Sequence, residues 1–190
     1  MDNKIPLLQY DGHINTYSGR KINLLDPSPK QISIHDIARG LSFNSHFGGQ
    51  TPEFFSIAQH CLLVCELMPP RYQQNPKIMM LALLHDASEA YLGDMLKPLK
   101  VMLPEFQKIE NNMMDVILHK YDLDPVDMKI IKPFDRQAQE LEYEAFYKKG
   151  RMRYDTPEQS KSHFMRKYYI YMNLRQMETE SVSDNFLDNQ

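Results

Sequence analysis

No apolar run in the 190-residue sequence approaches the roughly 18 residues that a membrane-spanning helix requires. The polar start, Met1-Asp2-Asn3-Lys4, has no apolar core of the signal-peptide kind, so the chain is expected to remain in a cytoplasm and away from membranes. A basic excess is missing as well. Lys and Arg number 22 against 25 Asp and Glu, a formal charge of −3, which argues against a surface built for a nucleic-acid polymer. A small nucleotide needs only a local cluster of Lys and Arg and is not excluded. Cysteine is scarce: Cys61 and Cys65, four apart in an apolar segment, are the two in the chain. Adjacent turns of one helix place thiols poorly for a disulfide, so both are expected to be reduced core residues. With no second cysteine pair, packing also outweighs a zinc reading. Internal repeats and low-complexity segments are absent, and 190 residues suit one domain with a core.

Proline marks where the elements begin. Thr51-Pro52, Asn75-Pro76, Asp124-Pro125 and Thr156-Pro157 each place a side-chain acceptor before a proline, the pattern of an N-cap and first helical residue. Thr156 with Gln159 adds a capping box, and Ser33 with Asp36 a looser one. The expected helices run near 34–42, 52–68, 76–91, 104–121, 125–149 and 157–176. The first thirty residues look irregular, with room for one short hairpin around Tyr17-Ser18-Gly19-Arg20. The fold expected is all-α: a single-domain helical bundle over residues 1–177, followed by a polar, fraying tail at 178–190.

The chemistry gathers where an apolar helix runs into polar residues. Ile78 to Leu84 is apolar throughout and leads into His85-Asp86, so this pair enters the interior together. A buried carboxylate beside an imidazole is costly without a partner, and a divalent cation supplies one. His60 shares an inward stripe with Ile57, Leu63, Val64 and Leu67, and Asp135 shares one with Met128, Ile131 and Ala138. Two imidazoles and two carboxylates from three helices would neutralise a divalent ion and leave positions for water and phosphate oxygen. Glu89, one helical turn after His85, is placed to reach such a water. Asp94 follows Gly93, and Lys97 and Lys100 bring positive charge suited to phosphate.

Other groups have simpler readings. His35-Asp36 sits in a first helical turn, where a carboxylate satisfies the helix dipole. His119 reads as a surface residue near a helix end, and His13 and His163 as solvent-facing.

The order His60, His85-Asp86, Asp135 is the signature of the HD superfamily. The stretch Leu84-His85-Asp86-Ala87-Ser88-Glu89-Ala90-Tyr91-Leu92-Gly93-Asp94, with Lys97-Pro98-Leu99-Lys100, closely resembles its bacterial 5′-deoxynucleotidases. The upstream blocks Phe47-Gly48-Gly49-Gln50-Thr51 and Glu53 to His60 look more like small phage HD phosphohydrolases, among them dATP triphosphohydrolases of phages that replace adenine in their DNA. The resemblance covers about residues 15 to 145. It implies metal ligands His60, His85, Asp86 and Asp135, a catalytic Glu89, and a substrate role for Asp94 and the residues just after it. One departure stands out. An Arg-Trp pair that contacts phosphate and sugar in the bacterial enzymes is replaced here by Ser45 and His46, which by position are expected to face the substrate, while Gln50, Lys97 or Lys132 takes over phosphate contacts.

These readings lead to a metal-dependent phosphohydrolase of deoxynucleotides. The first candidate releases deoxynucleoside and triphosphate from a dNTP, dATP preferred. The second is a 5′-deoxynucleotidase acting on monophosphates, and a more distant one is a non-catalytic nucleotide sensor. A dinuclear HD oxygenase would need further histidines between the His-Asp pair and the last Asp, and a cyclic-dinucleotide hydrolase a Gly-Tyr-Pro motif. The expected cofactor is Zn, Mn, Co, Fe or Ni, with a further Mg or Mn accompanying the phosphates. Relatives form dimers or larger assemblies, and the Tyr- and Met-rich last helix offers an interface for a homo-oligomer.

Overall fold

Two three-residue strands, β1 (His13–Asn15) and β2 (Lys21–Asn23), pair antiparallel with Ile14 opposite Ile22. This is the hairpin allowed for around Gly19, which takes φ +81° in the turn. The computed structural model describes residues 12–187, with side chains through residue 179; the polar start read at residues 1–4 lies outside the described residues. Strands this short are not stable alone, and the hairpin is pinned by Ile22, fully buried, and by Asp36. The Asp36 carboxylate accepts from Thr16 Oγ1 at 2.9 Å and from the Ser18 amide and hydroxyl at 2.8 and 2.7 Å. Asp36 therefore ties the turn to the bundle rather than simply satisfying a helix dipole. Ser33 precedes its helix, α1 (Ile34–Phe43), without a side-chain cap bond.

α2 (Ile57–Leu67) begins five residues later than its Thr51-Pro52 signal suggests. Thr51 Oγ1 donates instead to the Glu53 carbonyl at 2.6 Å, and Ser56 and Gln59 form the capping box that starts the helix. After a short α3 (Pro70–Gln73), α4 (Pro76–Leu84) starts as expected from Asn75, whose side chain accepts from the Lys77 and Ile78 amides. It stops at Leu84 instead of running to 91. His85 Nδ1 donates to the Ala82 carbonyl at 2.9 Å, competing for an acceptor of the final turn. The chain tightens into i→i+3 bonds through Ala87 and Glu89 before α5 (Glu89–Leu92).

α6 (Lys97–Met102) precedes α7 (Pro104–Lys120), and a 3₁₀ turn at Pro125–Asp127 leads into α8 (Met128–Tyr147). The last helix, α9 (Pro157–Leu187), continues well past 176. Its later residues are mostly polar but include neither Gly nor Pro, and polarity alone does not end a helix.

α4 is the centre of the bundle, buried along its length except at Lys77. It packs against α9 and α2, α2 packs against α8, and α1 lies on α9 and α5. Gly40 permits the last contact: a Cβ there would come within 2.4 Å of the Ala90 carbonyl oxygen. Cys61 and Cys65 are free and buried. Among the described residues no helix is long and apolar enough to cross a membrane.

Candidate metal centre

α2, the end of α4 and α8 bring His60, His85, Asp86 and Asp135 together. His60 is fully buried and donates from Nδ1 to Glu142 Oε1 at 2.8 Å, while His85 donates from Nδ1 to the Ala82 carbonyl. These partners turn both Nε2 atoms toward one point, where they lie 3.3 Å apart. His60 Nε2 is 3.1 Å from Asp135 Oδ1 and 3.6 Å from Asp86 Oδ2, and His85 Nε2 is 3.2 Å from Asp86 Oδ2. With the Nδ1 hydrogens committed elsewhere, only acceptors face this point, and either protons or a cation must occupy it. Without a cation, protons do. Burial opposes charging the two imidazoles, but Glu142 and Asp135 raise His60 above its ordinary value and Asp86 raises His85. Burial likewise opposes ionising Asp86, and His85 and His60 overcome it to hold the carboxyl low. Gln139 Nε2 donates to Asp135 Oδ1 at 2.8 Å, one turn along α8.

A second layer lies behind His60. Glu142 is fully buried in α8, and its other oxygen is 3.4 Å from His46 Nε2; His46 Nδ1 in turn is 3.4 Å from Asp94 Oδ2. Burial disfavours charge on His46, yet Asp94 and Glu142 push it up to about 10. His46 belongs to a loop in which Phe47, Gly48 and Gly49 all take positive φ. That geometry aims the Gly48 amide at Asp94 Oδ2, 3.1 Å away, and sets the Phe47 ring against Phe146, Tyr147 and His46. Glu142 was not singled out from the sequence. Its signal is its position seven residues after Asp135, with Gln139 between, on one face of α8.

Glu89 is buried, and Lys100 Nζ stands 3.3 Å from its Oε1 but nearer to Glu110, at 2.7 Å. Burial, with the Asp86 and Asp94 charges, pushes the Glu89 carboxyl up to about 9 against the pull of this shared lysine. A folded value above the ordinary 4.5 means that the folded, metal-free protein keeps a proton the unfolded chain releases. The associated stability is complete below the ordinary value and is lost as pH rises through the folded one. In chelator-treated protein the melting temperature of Glu89→Gln should therefore gain on wild type between about pH 5 and 9. A gap that stays constant with pH would show that Glu89 is not held protonated.

Lys97, Lys132 and Gln50 are exposed, and among the described residues none pairs with the cluster; the Gln50 carbonyl accepts from the Tyr147 hydroxyl. Ser45 pairs by backbone with Ser56. Cys61 lies within ligand range of His85 and Asp86, and in the metal-free protein burial pushes its thiol up to about 11. His163 is not simply solvent-facing: its Nδ1 pairs with Asp155 at 2.9 Å. His13 also has partners. His119 is exposed in the last turn of α7.

Compared with known families, residues 49–183 match the HD domain. The uncharacterized protein YfdR of Escherichia coli (strain K12) is 37% identical over 122 residues, covering 64% of this chain and 65% of that protein. An uncharacterized protein of Rhodobacter capsulatus is 47% identical over 92 residues, 45% of each chain. The chain thus spans less than two thirds of the length of either relative. HD domains bind divalent metals and are generally hydrolases, in keeping with the His/Asp cluster at His60, His85 and Asp135. With more than half of its length matched, this chain belongs to the HD-domain family.

Proposed function

We propose that the protein is a metal-dependent phosphohydrolase that cleaves a deoxynucleoside triphosphate, dATP foremost, at the α-phosphorus, releasing deoxynucleoside and triphosphate. The supporting observation is the convergence of the His60 and His85 Nε2 atoms, 3.3 Å apart, on the carboxylates of Asp86 and Asp135. In this reading these four residues hold a divalent ion of the Zn, Mn, Co, Fe or Ni group. When bound, the ion supplies positive charge to a phosphoryl oxygen and favours in-line attack by water.

The remaining steps fall to the chain's own side chains. Glu89, buried and protonated in the metal-free protein, orients the attacking water or passes a proton. Asp94 has Oδ2 taken by the Gly48 amide and faced by His46, which leaves Oδ1 to accept from a sugar hydroxyl. Lys100 is committed to Glu89 and Glu110, so phosphate charge falls to Lys97 and Lys132, both exposed and unpaired among the described residues. Those lysines, with the Phe47–Thr51 block that resembles phage triphosphohydrolases, favour a triphosphate.

Incubating metal-loaded protein with each dNTP, dNMP and ribonucleotide, and resolving nucleoside, phosphate and triphosphate, tests this. Intact triphosphate with deoxyadenosine is expected. Phosphate from monophosphates alone would move the protein to the 5′-deoxynucleotidases, and no product with any ion would leave a nucleotide sensor.

A further inference from the structure

Between α2 and α9, a cavity of about 200 Å³ opens whose lining includes none of His60, His85, Asp86 and Asp135. Gln59, Leu62, Leu63 and Glu66 line it from α2, and His163, Arg166 and Lys167 from α9; both sets follow the three- and four-residue spacing of one helical face. Met152, Arg153 and Asp155, in the connection between α8 and α9, close one end.

Two of the basic groups here, Arg153 and His163, are paired. Asp155 is nearly buried and accepts from Arg153 Nε at 2.8 Å and from His163 Nδ1 at 2.9 Å. One carboxylate thus pairs with two basic side chains at the cavity, the Arg153 side chain itself being 74% exposed, and leaves both terminal nitrogens of the Arg153 guanidinium free to donate. Gln59 Nε2 donates to the Arg153 carbonyl at 3.0 Å and fastens the connection to α2. Arg166 and Lys167 form no ion pair or hydrogen bond among the described residues. Three cations, Arg153, Arg166 and Lys167, face the carboxylates of Asp155 and Glu66, so the lining is positive within a protein of charge −3.

We infer that this cavity is a second ligand site, separate from the metal centre, for a nucleoside monophosphate: Arg153, Arg166 and Lys167 take the phosphoryl group while Leu62, Leu63 and Met152 receive the ring. Forked arginine donors suit phosphate oxygens, and lysine adds a point charge. The apolar side chains of α2 offer a flat moiety a dry surface. The volume lies below the range of about 300–1,000 Å³ usual for drug-sized ligands, which suits one phosphoryl group and a partly inserted ring better than a polyphosphate chain.

Calorimetric titration of the full chain separates this site from the metal centre. The probes are the four deoxynucleoside monophosphates, orthophosphate and deoxyadenosine, applied to wild type with its metal stripped and to wild type supplied with metal. At least one monophosphate should bind with a stoichiometry of one to both preparations, and more tightly than orthophosphate or deoxyadenosine. Arg166→Ala/Lys167→Ala should weaken it by roughly a hundredfold, about tenfold per cation removed, with an unchanged melting temperature because Arg166 is exposed and Lys167 only half-buried. Binding that needs the metal and ignores the double substitution would overturn the site, as would no binding to either preparation. Orthophosphate binding as tightly as every monophosphate would remove the ring from the assignment. None of these outcomes depends on turnover, so a failure of the catalytic reading would not be mistaken for a failure here.

Discussion

Asp86→Asn protein is expected to lose at least about three orders of magnitude in turnover while keeping its helices. The Asp86 carboxylate is one of two anionic groups at the point faced by the His60 and His85 Nε2 atoms. Converting it to an amide removes an anionic ligand and weakens the protein's hold on the ion. Metal ions contribute several kcal/mol of transition-state stabilisation, and each 1.36 kcal/mol is tenfold in rate. The fold should survive because Asp86 lies in the turn after α4, with its side chain 26% exposed, outside the apolar packing of Ile78–Leu84. Turnover, metal content by elemental analysis and far-ultraviolet dichroism should be measured on one preparation. Near-normal turnover with a retained metal would remove Asp86 from the ligand set.

The second large effect is expected at a residue that does not face that point at all. Burial opposes ionisation of Glu142, and His60 and His46 outweigh it, holding the carboxyl below its ordinary value. It fixes the His60 tautomer through the 2.8 Å bond to Nδ1. Glu142→Gln keeps the shape but loses the charge, and metal affinity should fall by about 10- to 100-fold, the usual loss when a partner behind a metal-bound histidine is removed. Glu142→Leu leaves two buried imidazoles without their anion and should lower stability by about 3–5 kcal/mol. Metal titration reads the first variant and chemical denaturation the second. Wild-type metal affinity in Glu142→Gln would mean that the Ser56–Gln59 capping box and local packing orient His60 without help.

What the sequence discloses follows from how far each force reaches. Asn75-Pro76 and Thr156-Pro157 start helices because cap and ring act within one turn, and the structure has both. Thr51-Pro52 has the same local form and starts none. Phe55 buries against Phe146, with ring centres 5.1 Å apart, a contact across more than ninety residues in a segment that stays non-helical until Ser56. The break after Leu84 was equally hidden, because it depends on which acceptor the His85 ring chooses. The inward positions of His60 and Asp135 were legible from helical stripes, since an apolar face points its polar members inward with it. His46 was not. The resemblance points to it as a substrate contact but says nothing of its neighbours, and the fold sets it between Asp94 and Glu142, groups 48 or more residues away in the chain.

The loop that carries His46 is under tension. Phe47 takes φ 53° and ψ 32°, a left-handed conformation that costs a residue with a Cβ about 1–2 kcal/mol. Its ring is held by Phe146 and Tyr147 from the last turns of α8. The aromatic pair acts as a latch on a wound spring. Once it is released, Phe47 would unwind toward an extended conformation and swing the Gly48 amide off Asp94. The grip on the Asp94 carboxylate is therefore maintained from the later turns of the helix that carries Asp135, by side chains that lie outside the His60, His85, Asp86 and Asp135 cluster.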